Sequence, residues 1–552
     1  MNAAQTIPVM AWTGERMVPH ASDAATELYH WQRYLYFTPW YRDARVIDAA
    51  SGEGYGISFA SVYASKAEGV ELSEEAIAHG TERYPNVSFI QGDVCTADYS
   101  QADVVLSFET IEHLPDPLAF LAALNTCPGS IVISTPNRNT HSPGNKLEDK
   151  PLNPYHTIEW TPIEFASVIE DAFPGRTVRF LSQQSRWPGI ITEGLDENAM
   201  YCIAVIGDQE LPKWPRLGLS MPTCNNSQQA LDTITGMSRY YPGEIEFAIV
   251  ANGCAPEHIA RLTQLRDSAP YMVHLIEEPT NTGYGRGANI GLNHLWQESW
   301  IDYFGVINDD IVPSVACMVE MVMAFEGLKQ LGHKPGVIGP VSNNVNGRQY
   351  VEIGGFNNIQ GLMYRAEQYH RNHALSVTEH FQVRGLFILI DPECLNEVGG
   401  FDPRFGLGNF EDDDHNLRCH LAGFSTWIVD GAFLFHHGSQ TFKNLDIDYA
   451  GLIERNQQIM QWKWDIENVE DWPALTEAPE DVNLFVPLTA KNEPEFAVTI
   501  AGKETIDLIS QASDMEFAAW VFERLKHRPR SYRRDVVKLF AVSPKAVAEM
   551  AA

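Results

Sequence analysis

Short apolar runs alternate with helix-length amphipathic segments through most of this chain, in two separate series. Runs such as "ARVIDAA", "CIAVIG", "LGLSMPT" and "EIEFAIV" are apolar at nearly consecutive positions, as strands covered by helices on both faces must be. The pattern predicts parallel α/β architecture. The first series covers residues 44–207 and the second starts at 217 and runs to about 470, with a Pro- and Trp-bearing joint, "DQELPKWPR", between them. A chain of 552 residues is too long for one core. The expected division is a domain over 1–211, a second over 212–470 and an extension over 471–552. The extension opens with "EDWPALTEAPED", which reads as an exposed strap. It closes with a basic segment in which Phe517, Trp520, Val521 and Leu525 share one helical face, as in a docked cap.

Charge narrows the choice of partners. With 39 basic and 72 acidic residues the formal net charge is −33, a field that makes nucleic acid and anionic membrane poor partners. The eight cysteines are scattered without a CxxC pair, so neither a zinc cluster nor a disulfide framework is expected. The N-terminus has no basic-then-apolar leader, and no apolar run approaches membrane-spanning length. The expected location is the cytoplasm.

In "RVIDAASGEGYG" a buried strand enters a turn with alternating glycines, Gly52, Gly54 and Gly56. Dinucleotide sites prefer a GxGxxG turn beneath a pyrophosphate. Asp48 before this turn and Glu53 within it would repel one, and they suit a cationic ligand such as S-adenosylmethionine. Glu71 follows at the offset of about twenty residues where an acid holds ribose hydroxyls. Asp93, in "VSFIQGDV", is placed to accept from an adenine amino group. These stretches, with "TGERMVP", "SFETIEHLPDP", "ISTPNRN" and "NPYHTIEWTPIEF", resemble the class I S-adenosylmethionine-dependent methyltransferases, closest to the branch found with surface-polysaccharide glycosyltransferases. The resemblance covers residues 12 to about 207. It implies a Rossmann-like domain, with small replacements at Ala50 and Ser51 where many members carry glycine and cysteine. Methyl transfer to a hydroxyl calls for a base, and His113 is the leading candidate, oriented by Glu112 or Glu109, with His156 as contender.

The second series carries "NTGYGRGANIGL", a backbone-exposing turn before a helix, with Asn281, Gly283, Arg286 and Asn289 as candidates for a donor phosphate. In "YFGVINDDIVP" an apolar strand runs straight into Asp309 and Asp310, an arrangement that suits a hydrated cation. "NFEDDDHNLR" places Glu411, Asp412, Asp413 and Asp414 at a helix N-terminus, where the dipole favours carboxylates, although such runs are often only hydrated surface. "GAFLFHHGSQ" ends a strand at His436 and His437. Over residues 215 to about 445 these stretches resemble a family 2 glycosyltransferase domain of GT-A fold. The resemblance implies a nucleotide-sugar donor, a manganese or magnesium ion held by Asp310 and His436 or His437, Asp309 beside it, and Asp412 as base within a Glu411–Asp412 motif. Asp414 fits a second acid. Asn308 and Ala251 depart from the family pattern, which leaves the nucleotide open.

Together the two resemblances imply a bifunctional transferase that adds a sugar to a glycan acceptor, which could be lipid-linked, and methylates a glycan hydroxyl, as in surface-polysaccharide synthesis. The alternatives are a protein or nucleic-acid acceptor, or an assembly scaffold with one inactive domain, associated with a glycan-assembly complex or a membrane surface.

Overall fold

Buried β-branched and small residues decide the strands. In the first half these are β1 (Arg45–Ala49), β2 (Lys66–Glu71), β3 (Ser88–Gln91), β4 (Val104–Phe108), β5 (Ser130–Pro136), β6 (Val178–Gln183), β7 (Ile191–Glu193) and β8 (Tyr201–Ile206). They form one sheet in the order β3-β2-β1-β4-β5-β8-β6-β7. The pairs from β3 through β5 are parallel, whereas β8 runs antiparallel to both of its neighbours, β5 and β6, and β7 antiparallel to β6, so this sheet is mixed where the pattern predicts parallel. Strand order reverses between β1 and β4, so a crevice opens outside their carboxyl ends, the place where such sheets bind ligands. The computed structural model describes residues 16–490 apart from 20, 186–189, 299, 357, 439–448 and 481; the basic segment expected to form a helical cap lies outside them.

The second half forms its own nine-stranded sheet. Its strands are β9 (Leu217–Thr223), β10 (Ile245–Asn252), β11 (Met272–Glu278), β12 (Tyr303–Ile307), β13 (Ile311–Pro313), β14 (Pro335–Ser342), β15 (Val377–Glu379), β16 (Phe387–Ile390) and β17 (Ser425–His436). The order is β11-β10-β9-β12-β16-β14-β17-β13, with β15 also on β17. Strands β11 to β12 pair in parallel, whereas β16 is antiparallel to both β12 and β14. This sheet is therefore mixed, where the sequence pattern predicts parallel. The pattern reads burial on both faces and is blind to strand direction. A second switch point lies between β9 and β12, with Thr223, Asn252 and Asn308 at or just beyond strand ends around it.

The joint at 208–216 is irregular, as expected, but it is pinned: the indole of Trp214 donates to the Tyr36 carbonyl, and that of Trp40 to Glu210. Gln32 donates to the carbonyls of Ser238, Arg239 and Tyr241, and Tyr240, Ala316 and Val319 join the apolar cluster of the first half. The strap expected at 471 is not exposed throughout. Trp472 is buried, and Val486 bridges to Gly399 with no room for a Cβ there. The apolar residues among its prolines and acids decide that. Among the described residues no helix is long and apolar enough to cross a membrane.

Candidate functional site

At the first switch point Asp48, next to the carboxyl end of β1, is buried and accepts from the Tyr34 hydroxyl at 2.8 Å. Gly52 adopts φ 58° with open space where a Cβ would stand, so its bare face is available to a ligand. Gly54 is bare for another reason: a Cβ there would meet the Phe89 ring at 2.4 Å. Glu71 accepts from the amides of Gly52 at 3.0 Å and Ser73 at 2.8 Å, fixing the turn. Asp93 is exposed beyond β3 and accepts from the Cys95 amide. Glu53, expected to add negative charge to this crevice, does not. Its carboxylate turns into the packing between helices, 2.8 Å from His79 and near Tyr84. Side-chain direction in a tight turn is set by tertiary contacts, which the spacing of glycines does not encode.

Burial pushes the Asp48 carboxyl up from an ordinary value near 3.8 to about 7, against the Tyr34 hydrogen bond and with help from Glu71. The folded group thus holds a proton that the unfolded chain releases, and stability falls as pH rises between roughly 4 and 7. We expect the thermal midpoint of ligand-free protein to fall more between pH 5 and 7 than that of Asp48→Asn, in a fluorescence melt. Equal slopes would count against this assignment.

A loop beyond β4 carries the base candidates. Glu109 adopts φ 55°, accepts from Ser134 at 2.7 Å and lies 3.4 Å from the Arg33 guanidinium. Glu112 is fully buried and His113 half-buried; His113 Nε2 is 3.8 Å from Glu112 Oε1. The loop at 153–159 closes over them. Thr157 donates to the Glu112 carbonyl, and the His156 ring stands edge-on to that of His113, centroids 4.9 Å apart. Both base candidates, His113 and His156, therefore share one place with Glu112.

At the second switch point a cavity of about 580 Å³ is lined by Thr223, Asn281, Asn308, Asp309, Asp310, Glu411, Asp412, Asp413 and His436. Residues from five separate stretches meet there. Asp309 accepts from Thr223 at 2.6 Å, and burial pushes its carboxyl up to about 7. Asp310 faces His436, with Oδ1 3.2 Å from Nε2. Burial alone would lower the pKa of the His436 ring, but Asp310 outweighs it and raises it, so the protonated ring donates from Nδ1 to the Asn344 carbonyl at 2.7 Å and from Nε2 to Asp310. His437 is exposed, packs on Phe435 and is not part of the lining. Consecutive strand residues point oppositely, which separates the pair.

The acidic run begins a helix, Glu411–Leu421, entered through two left-handed residues, Asn409 at φ 74° and Phe410 at φ 71°. Such strain gathers at functional sites. Asp412 accepts from the Gly385 amide at 3.1 Å and lies 3.7 Å from Arg384, which pairs with Asp413 at 2.7 Å. Burial raises Glu411 well above the usual carboxylate range. Asp414 is a correction: it points away from the cavity, into Arg418 at 2.9 Å and Lys463 at 2.5 Å.

The donor candidates divide as well. Asn281 lines the cavity and caps the Gly283 amide at 3.0 Å. Gly283 is bare because a Cβ would strike the Gly406 carbonyl at 1.8 Å. Asn289 is buried, and its amide is consumed by both backbone groups of Phe401, so it holds the fold rather than a ligand. Arg286 does not line the cavity. It sits two residues beyond the lining residue Tyr284, roughly 200° around the helix. Sequence reasoning missed Arg384, Tyr284 and Asn252, all of which line the cavity. Asn252, at a strand end, and Tyr284, inside the glycine-rich turn, stood where a signal could have been sought.

A family model described as a methyltransferase domain matches residues 29–167. Over those residues the chain is similar to methyltransferase domains, and the sheet that holds them has a Rossmann-like α/β order. The chain is 36% identical over 173 residues to a probable S-adenosylmethionine-dependent methyltransferase of Mycobacterium tuberculosis, matching 30% of this chain and 61% of that protein. A similarly described protein of Mycolicibacterium smegmatis is 37% identical over 169 residues, 29% of this chain and 63% of that one. The chain thus spans about three fifths of the length of the curated relatives it matches. Among solved structures, a methyltransferase from Thermotoga maritima aligns with 17% identity over 33% of this chain and 94% of its own, TM-score 0.27. One from Aquifex aeolicus aligns with 15% identity over 34% and 93%, TM-score 0.25.

Proposed function

We propose that the chain is a bifunctional transferase: an S-adenosylmethionine-dependent O-methyltransferase over 1–211 and a metal-dependent, inverting glycosyltransferase of GT-A type over 212–470, acting on a glycan in the cytoplasm. The observation that carries the sugar-transfer half is the convergence of Asp309, Asp310, His436, Glu411 and Asp412 on one cavity. Asp310 and His436, 3.2 Å apart, are donor types that suit a divalent ion in place of the proton between them. They would hold it, with Asp309 beside them, and a bound ion would supply charge neutralisation for a departing nucleoside diphosphate. Asp412, steadied by the Gly385 amide, removes the proton of the attacking hydroxyl. Arg384 keeps the neighbouring acids in place through Asp413. In the first half Asp48, Gly52, Glu71 and Asp93 would hold the methyl donor. Fusion raises the local concentration of the glycosylated product for methylation.

Calorimetry with a panel of nucleoside diphosphates tests the second half: one is expected to bind only with manganese, and to lose binding in Asp310→Ala. An S-adenosyl compound found by mass spectrometry in native protein supports the first half. If no nucleotide binds, the domain is better read as an assembly scaffold.

A further inference from the structure

We propose that Glu112, His113 and His156 form a second divalent-metal site, beside the methyl-donor crevice and separate from the cavity of the other domain. Among the described residues these are the one group of three His, Cys, Asp or Glu side chains that bring a ligand atom each to within 4.8 Å of one another. Proximity alone would suit a hydrogen-bonded cluster. The hydrogen bonds around it favour an ion instead.

His113 Nδ1 lies 3.1 Å from the Tyr155 carbonyl, an acceptor only, so Nδ1 carries the ring proton and Nε2 a lone pair. His156 Nδ1 lies 2.6 Å from the buried Glu159 carboxylate, which fixes the same tautomer and leaves Nε2 as its lone pair. Glu112 Oε2 accepts from Thr135 at 3.1 Å, whereas Oε1 has no hydrogen-bond partner although the residue is 0% exposed. Oε1 is 3.8 Å from His113 Nε2. Glu112 Oε1, His113 Nε2 and His156 Nε2 thus converge, and Oε1 is a buried oxygen with no hydrogen-bond partner. A cation there would give it the partner that burial demands. A carbonyl or carboxylate behind each imidazole is also how proteins orient metal-ligating histidines. The amide of Asn153, 2.8 Å from His156 Nε2, makes a neutral bond that an ion would displace.

Two imidazoles and one carboxylate suit manganese, iron, cobalt or zinc better than magnesium or calcium. With three protein ligands, coordination positions remain for the acceptor. Resting on the methyltransferase reading, the consequence is that the acceptor hydroxyl binds the ion, which lowers its pKa, and its proton passes to solvent water. The oxygen then forms a bond to the methyl carbon as the carbon–sulfur bond breaks. The electron pair stays on sulfur, and the sulfonium becomes a neutral thioether. On this account His113 is a ligand rather than the base.

The test is metal stoichiometry of the full chain, stripped with a chelator and titrated with manganese or cobalt in the absence of nucleotide sugar. The expected result is an ion that is lost in His113→Ala and Glu112→Gln but kept in His436→Ala, with electron spin-echo modulation from imidazole nitrogen still present in His436→Ala. Because that signal is read with His113 and His156 intact, a failure of His113→Ala to fold does not remove the test. Loss of the ion in His436→Ala with retention in His113→Ala, or no imidazole-coordinated ion at all, overturns the proposal. Binding of S-adenosylmethionine by dialysis is measured alongside. Cofactor binding without the ion defeats the metal site alone, and an ion without cofactor binding defeats the methyltransferase reading alone.

Discussion

Asp412→Asn is expected to lower sugar transfer by about 10²–10⁴-fold while leaving nucleotide binding and thermal stability almost unchanged. The carboxylate lines the cavity, its two oxygens accept from the backbone amides of Gly385 and Asp413, and Arg384, 3.7 Å away, keeps its closer pair with Asp413. An asparagine has the same shape and keeps an oxygen for one of those amides, so the loop should stay in place. It cannot take a proton at neutral pH. On the proposed reading the loss falls on kcat, with KM for the donor little affected, because the donor's charged end would be held through an ion on Asp310 and His436. A large rise in donor KM with unchanged kcat would mean that Asp412 binds rather than reacts.

Two positions along the same helix, Asp414→Ala is expected to do the reverse. Asp414 is 0% exposed and sits between Arg418, Lys463 and the Trp464 indole, which donates to it at 3.0 Å. Burial alone would raise its carboxyl, and Lys463 and Arg418 outweigh that and hold it below the usual range. Lys463 also pairs with Asp402 at 2.8 Å, so the network ties the acidic helix to the helix Tyr449–Trp464. Removing one anion leaves buried cations underpaired, a loss of about 3–5 kcal/mol. In a melt of the full chain, the transition of the second half should shift down sharply. A shift no larger than that of Asp412→Asn would show that the network is not sustaining the fold.

The contrast between these neighbours marks what the sequence can and cannot disclose. Strands, both glycine turns and the stretches that meet at each crevice were legible, because burial of strands and the chemistry of strand ends are written locally. Which acid of the run turns inward was not. Asp412 and Asp414 differ only in where a helix begun at two left-handed residues points them, and the helix that receives Asp414 lies about fifty residues away. Arg384 was illegible for a related reason: it stands on an irregular segment with neither period nor motif, and long-range folding alone delivers it to Asp413. Asn289 and Glu53 had plausible ligand positions and were taken by packing instead.

The central claim is that one chain holds two transferase centres matched to oppositely charged donors, and turnover of nucleotide sugars tests it most directly. Full-length protein is incubated with a panel of nucleotide sugars and manganese, and released nucleoside diphosphate is followed over time. The account predicts slow hydrolysis of one donor, abolished by chelator and by Asp310→Ala and unaffected by Asp48→Ala. Release from none of them, with or without manganese, would contradict it.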